Sequence, residues 1–202
     1  SSLVKMAKKR GKFNLRKEYR ECWKYIRESK KFIYIILGIF FVFALVGFLV
    51  PAPDYLVEQI MELFEDIIAK TEGLSHFGLI KFIFVNNLQS SFFGIIFGIV
   101  FGVFPVFGAI SNGYVLGFVS EMSSSNFGFV SLLSLLPHGI FELPAIFISL
   151  AMGLKLSSFV FQKDKKKFVK EDMLKILKVF LLIVVPLLII AAIIEGSFIA
   201  LR

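Results

Sequence analysis

The segment Leu136-Pro137-His138-Gly139-Ile140-Phe141-Glu142-Leu143-Pro144-Ala145 sets an imidazole and a carboxylate four residues apart in an apolar run, with a proline beside each. Helical spacing of four puts both side chains on one face. A charged side chain at the centre of a membrane helix costs roughly 2.5–3.5 kcal/mol on insertion scales, so such groups face a partner, a cavity or an ion. Three chemistries suit the pair. They are hydrogen bonds that fix neighbouring helices, ligation of a proton or of a divalent metal such as zinc, and reception of a lipid, peptide or small polar solute.

Hydrolysis fits less well. Catalytic zinc takes about three protein ligands and a base. His-x-x-x-Glu supplies two, no His-Glu-x-x-His occurs, and the second histidine, His76, reads as a solvated residue of an outer loop. Ser131 and Ser134 precede His138, but no Gly-x-Ser-x-Gly elbow accompanies them. The pattern is not that of an enzyme.

The surrounding composition shows why charge is costly here. The chain has 202 residues, 57% hydrophobic and 19% charged, against about 25% charged in soluble domains. Its 26 phenylalanines and 15 glycines point the same way, toward membrane helices and their boundaries. The one cysteine, Cys22, excludes an internal disulfide framework and reads as a buried thiol.

Charge-free runs divide the chain into five spans, about 32–50, 82–104, 106–120, 127–154 and 176–200, so the fold class is an all-α polytopic membrane helix bundle. Pro105 separates the second run from the third, and the polar cluster Glu121–Asn126 marks a turn after it. The third run is short enough to form a re-entrant pair with a neighbour instead of a full crossing. Counted from Phe127 at ~1.5 Å per residue, His138 lies roughly 16 Å along the fourth run, near the bilayer middle.

Residues 1–31 carry twelve Lys/Arg against three acids, and residues 155–178 carry eight against three. Residues 51–81 reverse this, with six acids and two lysines. Excess Lys/Arg marks the cytoplasmic side. The 1–31 arm and a basic loop at 155–175 are therefore expected inside a cell membrane, with the acidic segment and the C-terminus outside. Within the arm, Leu15, Tyr19, Cys22, Trp23 and Ile26 share one helical face. That face suits either the anionic inner membrane surface or packing on the bundle. Topogenesis accounts for the basic charge, so no nucleic-acid partner is expected. Residues 54–70 form a second amphipathic helix with an acidic face, expected along the outer interface, where it covers the bundle or offers an edge to a partner.

Gly94, Gly98 and Gly102 repeat at helical spacing, and Gly108, Gly113, Gly117 and Gly139 follow. Small residues let backbones approach closely, so dispersion holds helices together in lipid. They predict packing among spans two, three and four, or a homodimer seam. The remaining costly residues are Asn86, Asn87, Gln89, Asn112, Glu121 and Glu195. Asn86, Asn87, Asn112 and Glu195 could converge with His138 and Glu142 on one polar pocket open to the exterior. His138, Glu142 and Glu195 are its candidate metal ligands.

The order Asn86-Asn87, Asn112-Gly113, Leu136-Pro137-His138-Gly139-x-x-Glu142-x-x-Ala145, Gly153 and Ile194-Glu195 resembles the stage II sporulation protein M family, from about Leu79 onward. The resemblance implies a five-span membrane protein. The family's best-known member acts in engulfment by spore-forming bacteria, in a complex that contains cell-wall hydrolases. It carries over no catalytic residue. A non-enzymatic subunit or scaffold in contact with the lipid bilayer and other membrane or envelope proteins is therefore expected, with a homo-oligomer or an ion-coupled transporter as the other readings.

Overall fold

The computed structural model describes residues 14–100, 102–128 and 136–200, with backbone alone at Phe127, Leu136, Pro137 and His138. The first thirteen residues of the basic arm, and the stretch holding Ser131 and Ser134, lie outside the described residues. The fold is all-α. Helices α1 (Leu15–Glu28), α2 (Lys30–Leu49), α3 (Asp54–Thr71) and α4 (His76–Ile96) come first. They are followed by α5 (Val103–Phe127), α6 (Leu136–Ser157), α7 (Lys165–Val179) and α8 (Val185–Ala200). Among the described residues, five stretches are long and apolar enough to cross a membrane: Lys30–Leu49, His76–Ile99, Val103–Asn126, Gly139–Phe161 and Lys165–Ala200.

Several boundaries differ from the sequence reading. The second and third spans part at Gly102, not at Pro105. Gly102 takes φ 72° in the left-handed region, which glycine alone adopts at little cost. Pro105 falls in the first turn of α5, where its missing N–H has no intrahelical partner to lose. The third span is thus a 25-residue helix, about 37 Å long at 1.5 Å per residue, which is enough for a full crossing.

The Glu121–Asn126 cluster is helix, not a turn. Its polar side chains turn back onto their own helix: Asn126 Nδ2 donates to the Met122 carbonyl at 2.8 Å and Ser125 Oγ to Glu121 Oε1 at 2.7 Å. Gly128, at φ 79°, then ends α5. Phe127 therefore belongs to the third span, and the described part of α6 begins at Leu136, two residues before His138. The expected basic loop is largely absent too. After a 3-10 turn (Ser158–Phe161), α7 starts at Lys165 with Asp164 Oδ1 capping the Lys167 amide, and it continues into α8. A π-helical turn at Phe180–Val184 joins the two just before Pro186, whose ring cannot donate to the ladder.

Helix α6 is the most buried span and the axis of the bundle. One side packs α2 and α5 through Phe40, Ala109, Phe147 and Ala151. The other packs α1, α4, α7 and α8 through Ile26, Ile95, Met152, Ile176 and Leu188.

Glycine seams allow these approaches, with one change of partner. A methyl at Gly98 would overlap the Gly153 backbone, and one at Gly94 would meet Leu150 at 2.9 Å, so span two lies on span four. Gly102 faces Leu154 and Ser157 of the same region. Gly113 and Gly117 pack instead against the Phe40 and Ala44 carbonyls of α2, so span three lies on span one. A methyl at Gly139 would meet only Leu143 of its own helix among the described residues, at an ordinary 3.5 Å.

Candidate functional site

Helices α4, α5 and α6 leave a cavity of about 740 Å³ between them, and α3 overhangs one end. Asn86 and Asn87 reach it from α4, Asn112 from α5 and Glu142 from α6. Four of the six residues expected in one polar pocket thus line one space, with Gln89 beside them. Glu142 and Asn87 are buried, whereas Asn86 and Asn112 are exposed toward the opening. Asn112 Nδ2 donates to the Gly108 carbonyl at 2.8 Å, which holds the amide against its own helix. Asn86 Nδ2 and Asn87 Oδ1 stand 3.5 Å apart, at the limit of a hydrogen bond.

Glu195 is not among the lining residues. It lies on α8 beside Gly196, where a methyl would press on Ile80 of α4 at 2.6 Å. The His138 side chain is outside the described set. Among the described residues, no three His, Cys, Asp or Glu side chains are grouped to hold a metal ion.

His76 is exposed as expected but opens α4 and is not in a loop, and its Nε2 lies 3.0 Å from Ser197 Oγ of α8. Ser75 caps that helix by accepting from the Gly78 amide at 3.2 Å. The contact ties the start of span two to the end of span five.

Sequence reading missed two features. The first is Ser91, lining the cavity at 3% exposure with its hydroxyl unbonded among the described residues. A serine in an apolar helix gives no sequence signal beyond its polarity. The second is a polar cluster at the far end of the bundle. There Lys155 Nζ, on α6, donates to Ser29 Oγ at 3.0 Å and sits 3.6 Å from the Tyr25 ring centroid. Ser29 Oγ donates in turn to the Tyr25 carbonyl at 2.7 Å. Lys175 pairs with buried Asp172 at 3.4 Å. Burial, reinforced by the Asp172 carboxylate, pushes the Tyr25 hydroxyl far above its usual range. Burial likewise pushes the Cys22 thiol up. Helix α1 therefore packs on the bundle through Cys22, Tyr25 and Ile26, while Trp23 stays half exposed. The only hint in the sequence was a lysine closing an apolar run.

An all-α bundle of five spans threaded by an axial fourth span, α6, defines a polytopic membrane protein. The family model described as "Stage II sporulation protein M" matches residues 36–199, so the chain belongs to that family. It is also 34% identical over 119 residues to the uncharacterized protein MJ0793 of Methanocaldococcus jannaschii. That alignment covers 56% of this chain and 66% of the relative, just short of two thirds of its length. No solved structure matches the chain.

Proposed function

We propose that this member of the stage II sporulation protein M family acts as a non-enzymatic subunit or scaffold of a membrane complex. The observation that supports the reading is α3. It is an 18-residue helix that buries Ile60 alone, leaving Glu58, Glu62 and Glu65 exposed along one face. The glycine seams offer less to a partner, because spans one to four already use them on one another. A partner would therefore meet the acidic face of α3, on the side opposite the basic α1 and α7.

The test is a photo-crosslinking amino acid at Glu62 and Glu65 in native membranes. Discrete adducts with other membrane or envelope proteins are expected. Adducts with lipid or with the chain itself alone would overturn the reading, the latter in favour of a homo-oligomer.

A second reading, ion-coupled transport through His138, Glu142 and Glu195, gains support from the access that the cavity gives to Glu142. Vesicles holding the protein would then pass protons, metal or solute down an imposed gradient. Flux equal to that of empty vesicles would remove it.

A further inference from the structure

Leu63, Phe64 and Ile67 of α3, Phe82 of α4 and Val115 of α5 form an apolar rim to the cavity. Below that rim comes a polar belt, Asn86, Asn87, Gln89 and Ser90 on the α4 wall and Asn112 on the α5 wall. Farther from α3 the cavity presents Phe93, Phe97, Phe104 and Phe107. At 1.5 Å per residue, Ser91 lies about 22 Å from the α3 end of α4, and Asn112 about 22 Å from the same end of α5. Phe97 and Phe104 lie about 31 and 34 Å down the same helices. These rings stack in sequence, with centroids of Phe93 and Phe97 5.6 Å apart and of Phe97 and Phe104 5.0 Å apart. They are also 41–50% exposed on the apolar flank of the bundle.

The Asn86 and Asn112 side chains and the unbonded Ser91 hydroxyl open on the cavity at that depth, where a polar group without a full set of partners is costly. A bilayer supplies one class of molecule with the matching gradient. We infer that the cavity binds a single membrane lipid whose headgroup is drawn in beneath α3, against the amides and Ser91, with its acyl chain along the phenylalanine wall.

Charge selects among headgroups. The formal charges in the lining are Asp66, Glu142 and Lys70, and Lys70 is held by Asp66 one turn away. With the acidic α3 above, an anionic headgroup is repelled. A zwitterionic or uncharged, hydrogen-bonding headgroup is accepted. The inference holds whether or not a protein partner sits on α3.

The experiment uses the full chain in vesicles doped with brominated phosphatidylcholine or brominated phosphatidylglycerol, with Trp23 replaced by Phe. One reporter is Phe107→Trp in the cavity wall. The other is Tyr34→Trp, 67% exposed on α2 away from the cavity. Bromine should quench at position 107 at about five-fold lower mole fraction for phosphatidylcholine than for phosphatidylglycerol, the discrimination that about 1 kcal/mol of like-charge repulsion gives. At position 34 the two lipids should quench equally. Adding Asn112→Phe, whose side chain fills the open mouth without entering the core, should abolish the preference while helicity by circular dichroism is kept. Equal quenching at 107, or a preference for phosphatidylglycerol, overturns the inference. So does quenching at 107 that falls as protein density rises, which would mark a second copy of the chain in the cavity.

Discussion

The Lys155 ammonium lies over the face of Tyr25, 3.6 Å from the ring centroid, and so joins the end of the axial helix to the basic arm. The same ammonium donates to Ser29 Oγ at the α1–α2 junction. One side chain of α6 therefore holds the α1–α2 junction, 126 residues away in the sequence. Removing its charge while keeping its stem isolates this clasp. Lys155→Met should weaken α1 docking by about 1–2 kcal/mol, from the lost cation–π contact and hydrogen bond. Cys22 reports the change, because it is the sole cysteine and is buried on the docked face of α1. Its alkylation should accelerate roughly 5–30-fold. An unchanged rate would show that the clasp does not hold the arm.

Docking should also depend on pH in the alkaline range. Burial and then Asp172 raise the Tyr25 hydroxyl well above the ordinary phenol value of about 10 in the folded chain. Above that pH the undocked arm releases a proton that the docked arm retains, so fewer protons are bound when α1 is free. Stability from this group is complete below about pH 10 and declines as pH rises beyond it. The half-exposed Trp23 on α1 gives the readout. Its emission should stay constant through pH 9 and shift red above 10, and Tyr25→Phe should remove the shift. A transition below pH 9 would point to another group.

How much of this was legible beforehand follows from the range of the interactions. Spans one, two and five are composition, and charge-free runs revealed them. The cavity residues were legible because Asn86, Asn112 and Glu142 are costly in lipid wherever they point. The end of α5 was not, because Ser125 and Asn126 are turn formers by type yet bond their own helix here. The partner of Gly113 was hidden for a different reason. A small residue announces a close approach without naming the helix that makes it. Lys155 reads as an interfacial charge until Tyr25 and Ser29 arrive from the other end of the chain.

The glycine seams make a paired prediction. A methyl at Gly117 would overlap the Ala44 carbonyl, and helical backbone can yield only if α2 and α5 separate. Gly117→Ala should therefore cost about 1–3 kcal/mol. Gly38, on the same α2, has nothing within 4 Å of a built methyl. Gly38→Ala should be neutral, or stabilising by up to about 1 kcal/mol through helix propensity. Thermal unfolding of both variants in one detergent decides the matter, and equal midpoints would contradict the seam.

Orientation follows from charge and from which helix ends share a side. Helix α1 docks on α7, so the basic arm and the Lys165–Lys167 start of α7 lie at one end of the bundle. Helix α3 follows α2 across and lies at the other. Excess Lys/Arg on the first side predicts that it is cytoplasmic. In a Cys22→Ser background, the exposed Glu62→Cys on α3 should react with an impermeant maleimide applied to intact cells. Lys166→Cys, also exposed, should react only after permeabilisation. The opposite pattern would invert the protein in its membrane. It would place the acidic α3 face, and the partner surface proposed for it, on the cytoplasmic side. Labelling of both positions in intact cells would mean a mixed insertion, and the charge asymmetry would then not be what orients the chain.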